Sequence, residues 1–286
     1  MLYDVLIIGN GPAGISAALY VARAGLKCAV IGKDGGALEK AEKIENYYGL
    51  EEPVSGPELI EIGKKQAKNL GVELICDEVV GINWDGNYQV ATVNTEFSGK
   101  AVIFAVGAQR NKAKIEGITE FEGQGVSYCA VCDAFFYRNK TVAVLGNSEY
   151  ANHELKELLP TAAKAYLLTN GKNAETEVPE NVEIITKPIK KLIGNGKLEG
   201  IEFETGESLA VDGLFVALGT AGAADLARKV GAETENGKIV VDEKMKTNLP
   251  GLFAAGDCIG GVLQVSVAVG EGAKAALSAI EFARKN

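Results

Sequence analysis

Two cysteines two residues apart, Cys129-Ala130-Val131-Cys132, with a carboxylate directly behind them at Asp133, are the residues of this 286-residue chain best suited to redox chemistry. A second signature lies at the N-terminus, where Gly9-Asn10-Gly11-Pro12-Ala13-Gly14 follows an apolar run and opens an alanine-rich stretch. In that context the first glycine makes the turn, the second admits a pyrophosphate and the third lets helix and strand pack, while the helix N-terminus favours phosphate charge. Together the two signatures imply a flavin that passes electrons to a disulfide. A third signature is defective. Gly146-Asn147-Ser148-Glu149-Tyr150-Ala151 sits where a nicotinamide-binding turn is expected, with serine at the middle glycine position.

From the residues alone the cysteine pair has three readings. Buried structural thiols would carry no chemistry, although packing alone rarely places a Cys-x-x-Cys pair. Zinc needs about four ligands, and Cys28, Cys76, Cys258 and the lone His153 are scattered; no metal site is expected. A redox disulfide is favoured, because the spacing suits a small ring and a helix start lowers a thiol pKa. Asp133 would then be the acid–base partner.

These residues need elements to position them. The first 35 residues read as strand (to Ile8), turn, helix (to Ala24) and strand (Lys27 to Ile31), and an apolar strand from Ala101 to Val106 ends at Gly107. The pattern repeats at 141–146, 151–159 and 165–169, with an apolar strand at 213–219 matching the one at 101–107. Gly251 to Asp257 reads as strand and loop, and a small-residue helix runs from about Gln264 to Arg284. The expected fold class is α/β, with two Rossmann-like dinucleotide-binding domains, the second inserted in the first and carrying a degenerate nicotinamide site. The boundaries are 1–112 with 243–286 for the outer domain and 113–242 for the inserted one, with hinges around Ala113 and Asp242.

Composition agrees with an enzyme of this kind. The 35 glycines suit several strand-to-helix turns. The net charge of −9 argues against nonspecific nucleic-acid binding. No apolar run is long enough to cross a membrane, and the chain enters a strand at once without a leader pattern, so a cytoplasmic protein is expected.

The chain resembles the low-molecular-weight thioredoxin reductases over nearly its whole length. The resemblance rests on the turn at 9–14, Gly35-Gly36-Ala37-Leu38 followed by Ile44-Glu45-Asn46, the Cys129-Ala130-Val131-Cys132-Asp133 centre, Ala255-Gly256-Asp257 and Gln264-Val265. It implies FAD held by Gly9, Gly11, Pro12, Ala13, Gly14, Lys33, Asp34, Gly36, Leu38, Asn46, Val79, Gly107, Gly256, Asp257, Gln264 and Val265. It further implies that Cys132 faces the flavin, that Cys129 attacks thioredoxin, that Asp133 manages the proton, that the domains rotate during the cycle, and that the enzyme is a homodimer.

The family's NADPH site does not carry over. A Cβ at Ser148 crowds the pyrophosphate approach, Tyr150 replaces a small residue, and there is no arginine from 139 to 227 to read a 2′-phosphate, nor an acidic residue at the strand end for an NAD ribose. In this the chain is most similar to the clostridial ferredoxin-dependent flavin thioredoxin reductases, which implies reduced ferredoxin as electron donor and thioredoxin as acceptor. With ferredoxin near about −400 mV and thioredoxin near about −270 mV, the gap of about 130 mV is worth about 6 kcal/mol for two electrons. Candidate docking lysines are Lys40 and Lys43, or Lys187, Lys190 and Lys191, or Lys64, Lys65 and Lys68. The alternatives are a divergent NADPH enzyme, an oxygen-using dithiol oxidase and a noncatalytic redox sensor.

Overall fold

The structure, a computed structural model, describes residues 1–107 and 114–286. The chain divides into two compact units, Met1–Gln109 with Gly222–Asn286, and Arg110–Ala221. Strand β1 (Leu2–Ile8) enters the first unit with Val5, Leu6, Ile7 and Ile8 all buried. Consecutive rather than alternate residues are apolar because a central parallel strand is covered on both faces. Helix α1 (Pro12–Arg23) starts with Pro12 in its first turn, where the missing N–H costs no hydrogen bond. Then follow β2 (Cys28–Ile31), α2 (Gly56–Asn69), β3 (Glu73–Ile75), β4 (Val79–Trp84), β5 (Tyr88–Thr92) and β6 (Glu96–Phe104). Helix α2 begins on a capping box: Ser55 accepts from the Glu58 N–H, and the Glu58 carboxylate accepts from the Ser55 N–H.

The second unit contains β7 (Val126–Ser127), α3 (Ala130–Asp133), β8 (Thr141–Leu145), α4 (Glu149–Leu158), β9 (Lys164–Leu168), β10 (Glu183–Ile185), β11 (Ile189–Gly194), β12 (Leu198–Phe203), β13 (Ser208–Ala210) and β14 (Gly213–Val216). Its main sheet is parallel in the order β10-β9-β8-β14-β7, and β11-β12-β13 form a separate antiparallel sheet. The chain then returns to the first unit with α5 (Ala223–Lys229), β15 (Thr234–Glu235), β16 (Lys238–Ile239), β17 (Leu252–Ala254) and α6 (Val265–Ala283).

The sheet of the first unit runs β3-β2-β1-β6-β5-β4, and β6 shares one edge between two partners. Residues 96–99 pair antiparallel with β5, while residues 102–104 pair parallel with β17. Helices α1 and α6 cover this sheet with small side chains, and they approach so closely that a Cβ at Gly272 would lie 2.1 Å from the Ala13 carbonyl oxygen. Both βαβ patterns read from the sequence are present: β1-α1-β2, and β8-α4-β9. Among the described residues no helix is long and apolar enough to cross a membrane.

One boundary differs from the sequence reading. Residues 222–242, expected in the inserted domain 113–242, cluster with the first unit. Helix α5 packs on β4, where the Lys229 ammonium donates to the Val80 carbonyl at 3.2 Å, so the return crossing lies near Gly222 rather than Asp242. The expected hinge at Ala113 lies outside the described residues. Trp84 is exposed at the end of β4, opposite Tyr88.

Candidate active site and cofactor motifs

The N-terminal turn divides its glycines by function. Gly9 has φ +110°, and a Cβ there would lie 2.3 Å from the Ala105 carbonyl oxygen; at Gly14 it would lie 1.9 Å from the Gly9 carbonyl oxygen. Those two positions are closed by the protein itself. At Gly11 a Cβ would meet nothing within 4 Å, so the space above the start of α1 is open, and no acidic side chain stands in the first turn of the helix. This is the arrangement a pyrophosphate requires.

Two buried acceptors flank the end of β2. Asn10 donates through Nδ2 to the Gly32 carbonyl at 3.3 Å, while its Oδ1 has no hydrogen-bond partner among the described residues. Glu78, beside Val79, accepts the Lys33 ammonium at 2.6 Å on one oxygen, and its other oxygen is likewise buried without a partner among the described residues. The hydroxyl and amino groups of an adenosine are donors suited to such acceptors. Asp34 accepts from the Gly36 N–H at 2.9 Å, where Gly36 turns the chain with φ +72° ahead of Leu38.

The C-terminal motif closes onto the same unit. Gly256 (φ +78°) lies so close to α1 that a Cβ would be 3.0 Å from the Ala13 Cβ, and its N–H donates to Glu271 at 2.9 Å. Burial pushes the Glu271 carboxyl up, the Gly256 N–H opposes this and the Asp257 charge adds to the rise. Asn46 donates to Gln264 at 3.1 Å, bringing two predicted cofactor residues 218 positions apart into contact, with Val265 opening α6 directly after. Gly107, with φ +80°, ends the segment that follows β6.

In the second unit Cys129 and Cys132 form a disulfide with Cα atoms 5.3 Å apart. Cys129 caps α3, its sulfur accepting from the Cys132 N–H at 3.2 Å. Cys129 is 4% exposed, whereas Cys132 is exposed. Ser127, to which the sequence reading gave no role, ties the motif together: its hydroxyl accepts from the Cys129 N–H at 3.1 Å and donates to Asp133 at 2.7 Å. A short hydroxyl side chain two residues ahead of a turn is a local signal for such bonding. Glu154 was also missed. It is 1% exposed and accepts the Ala130 N–H at 2.7 Å. Its signal is a charge on the apolar face of α4, in register with the buried Ala151, Leu155 and Leu158.

The remaining thiols are poor candidates for chemistry. Burial pushes Cys28 up to about 11 and Cys258 up to about 12, and Cys76 is exposed. The lysine groups carry counterions: Lys187 pairs with Glu207, Lys190 and Lys191 with Glu202, Lys43 with Glu45 and Lys64 with Glu61.

The defective fingerprint is closed by the chain itself. Gly146 keeps the packing role, since a Cβ there would lie 2.1 Å from the Ala217 carbonyl oxygen. Ser148, at the N-cap of α4, turns its hydroxyl away from the helix and donates it to the Gly219 carbonyl. The Asn147 carbonyl accepts from the Glu175 N–H at 2.7 Å, and its amide donates to Asn173 at 3.2 Å. Asn152 reaches Thr176 at 3.1 Å. Residues 173–176 are therefore laid against the turn and first coil of α4, and Tyr150 is buried beneath.

Residues 3–272 match the family model described as pyridine nucleotide-disulphide oxidoreductase. The chain is 40% identical over 302 residues to the thioredoxin reductase of Aquifex aeolicus, covering 98% of this chain and 93% of that one. It belongs to the thioredoxin reductase family. Among solved structures, an atypical thioredoxin reductase from Desulfovibrio vulgaris Hildenborough is 38% identical over 99% of each chain, with a TM-score of 0.94. A ferredoxin-flavin thioredoxin reductase from Clostridium acetobutylicum is 34% identical, covers 100% of this chain and 99% of that one, and has a TM-score of 0.75. As a thioredoxin reductase-like flavoprotein disulfide reductase, the chain takes FAD as its cofactor, and the open space over Gly11 with the unfilled acceptors of Asn10 and Glu78 fits that group.

Proposed function

We propose that this member of the thioredoxin reductase family takes electrons from reduced ferredoxin and passes them through FAD and the Cys129–Cys132 disulfide to thioredoxin. The observation that carries the donor assignment is the internal closure of the second fingerprint. The pyrophosphate of a nicotinamide dinucleotide would have to approach the turn against which Asn147 already holds residues 173 and 175, its side-chain amide donating to the Asn173 carbonyl and its carbonyl accepting from the Glu175 N–H, and it would meet Glu149 in the first turn of α4, which repels phosphate. Similarity to a ferredoxin-flavin thioredoxin reductase supports the same reading. A cytoplasmic homodimer completes it.

Bound FAD supplies the exchange between single electrons and the two-electron reduction of a disulfide. Gly9, Gly11 and Gly14 shape the turn for its pyrophosphate, and Asn10, Lys33, Glu78, Asn46, Asp257 and Gln264 supply the polar groups around it. The Cys129–Cys132 bond takes up two electrons and two protons to give two thiols. Ser127 holds the Asp133 carboxylate beside the pair, where it hands over or accepts the proton. Cys129, as thiolate, then attacks the thioredoxin disulfide, and Cys132 resolves the mixed disulfide. Because Cys129 is the buried member, its role requires its sulfur to reach the surface once the bond opens.

The test is an anaerobic assay in which NADPH, NADH and reduced ferredoxin are offered in parallel and thioredoxin thiols are counted. Turnover with ferredoxin alone is expected. Turnover with NADPH would refute the donor assignment, and peroxide production from a small dithiol in air would point to a dithiol oxidase.

A further inference from the structure

We propose that Glu154 is a positioning residue that fixes the start of helix α3 and, through its charge, makes the Cys129–Cys132 pair a stronger reductant. This rests on the reading of that pair as the redox centre. Glu154 is withdrawn from water on the buried face of α4, and its Oε2 accepts the N–H of Ala130 at 2.7 Å. That N–H belongs to the peptide joining Cys129 to the first residue of α3. A neutral amide at 154 would make the same hydrogen bond without burying a charge. The charge is therefore what distinguishes glutamate at this position.

The consequence follows from the charge balance of reduction. Two electrons and two protons convert the disulfide to two thiols, and the reactive form of either is the thiolate. N–H groups at a helix start stabilise a thiolate and lower its pKa; here the Cys129 sulfur receives the Cys132 N–H, while Glu154 takes that of Ala130. A carboxylate beside the pair disfavours a second negative charge and raises the thiol pKa. A dithiol form with less thiolate stabilisation is less stable, so the couple becomes more reducing. The other ionisable groups on the surrounding elements add to this or are engaged elsewhere. Asp133 is held by Ser127, Glu122 accepts from Tyr128 at 2.6 Å, His153 lies 4.0 Å from Glu157, and the Tyr137 hydroxyl is pushed up by burial and by the charges of Asp133 and Asp212.

The experiment uses the FAD-loaded protein equilibrated anaerobically with dithiothreitol redox buffers. Thiols are trapped by alkylation and counted by mass, and alkylation rates of the reduced protein are followed against pH. Glu154→Gln keeps the acceptor and the volume but removes the charge. It is expected to shift the equilibrium about tenfold toward the dithiol, about 30 mV more positive for this two-electron couple, and to lower the pKa of the reactive thiol. Glu154→Asp and Glu154→Asn, equally shortened, isolate the charge: Asn is expected to shift the couple in the same direction and Asp to stay near the parent. A parental potential and pH profile in Glu154→Gln, or equal shifts in Asp and Asn, would overturn the proposal. A pair that never opens at any dithiothreitol ratio would instead refute the redox reading itself.

Discussion

Replacing Gly11 and Gly14 in turn separates the needs of the fold from the needs of the cofactor. At Gly14 an added Cβ would sit 1.9 Å from the Gly9 carbonyl oxygen, more than an ångström inside contact, and both partners are backbone. Overpacking of this kind costs about 1–3 kcal/mol or more, so Gly14→Ala is expected to destabilise the protein with or without FAD. At Gly11 the backbone is extended (φ −76°, ψ −172°) and nothing lies within 4 Å of the added Cβ. Alanine is allowed there, and it restricts the unfolded chain, so the apoprotein should be unchanged or more stable by about 0.4–1 kcal/mol. The methyl group instead fills the space for the pyrophosphate. Displacing even one charge-assisted hydrogen bond, worth about 1.5–3 kcal/mol, weakens FAD by about 10- to 100-fold. The assay is thermal unfolding of the apoprotein alongside a fluorescence titration with FAD. Parental FAD affinity in Gly11→Ala would refute the assignment of that space, and a destabilised Gly11→Ala apoprotein would refute the separation.

Neither NADPH nor NADH at millimolar concentration is expected to bleach the flavin, and Ser148→Gly alone should not change this, because Asn147 and Asn152 still hold residues 173–176; rapid bleaching under anaerobic stopped flow would contradict it. Cys129→Ser is expected to leave a Cys132 thiolate that gives a long-wavelength charge-transfer band, Cys132→Ser to lack the band, and both to lose thioredoxin reduction; absorbance spectra and a thiol assay check this. In the oxidised native protein only Cys76 should alkylate, since burial pushes Cys28 and Cys258 up to about 11 and about 12, and mild reduction should expose two further thiols by mass. Tyr88 donates to the Pro250 carbonyl at 2.7 Å, and burial pushes its hydroxyl up to about 12. Its stabilising share is complete below the unfolded value of about 10 and is lost as pH rises toward about 12, so Tyr88→Phe should cost about 1 kcal/mol at neutral pH and flatten the alkaline loss seen in denaturant titrations across that window.

What was legible in the sequence is what local patterns can carry. β1, the glycine turn and α1 announce themselves through a continuous apolar run, a glycine spacing imposed by close contacts and a proline in the first helical turn. The cysteine pair was legible because its spacing allows few other uses. The placement of 222–242 was not: α5 belongs to β4 through contacts that span 149 positions, such as Lys229 to Val80, and no local pattern encodes that. The closure of the second fingerprint was half legible, in Ser148 and Tyr150, while the segment laid over it is held by side-chain amides whose partners the sequence does not mark. The burial of Cys129 beside an exposed Cys132 belongs to the same class, since it depends on how α3 meets α4.

The shared edge of β6 has a consequence for the order in which the protein is made. Its upper half waits for β17, and the sheet waits for α6 to cover it, yet both come from the last 35 residues of the chain. On the ribosome, at about 5–20 residues per second, the intervening unit emerges whole while the first sheet stands with an unpaired edge for several seconds. An open edge beside a bare apolar face is a template for wrong pairing. The nascent chain is thus expected to be a client of holding chaperones until release, and C-terminal truncations are expected to accumulate in the insoluble fraction on expression.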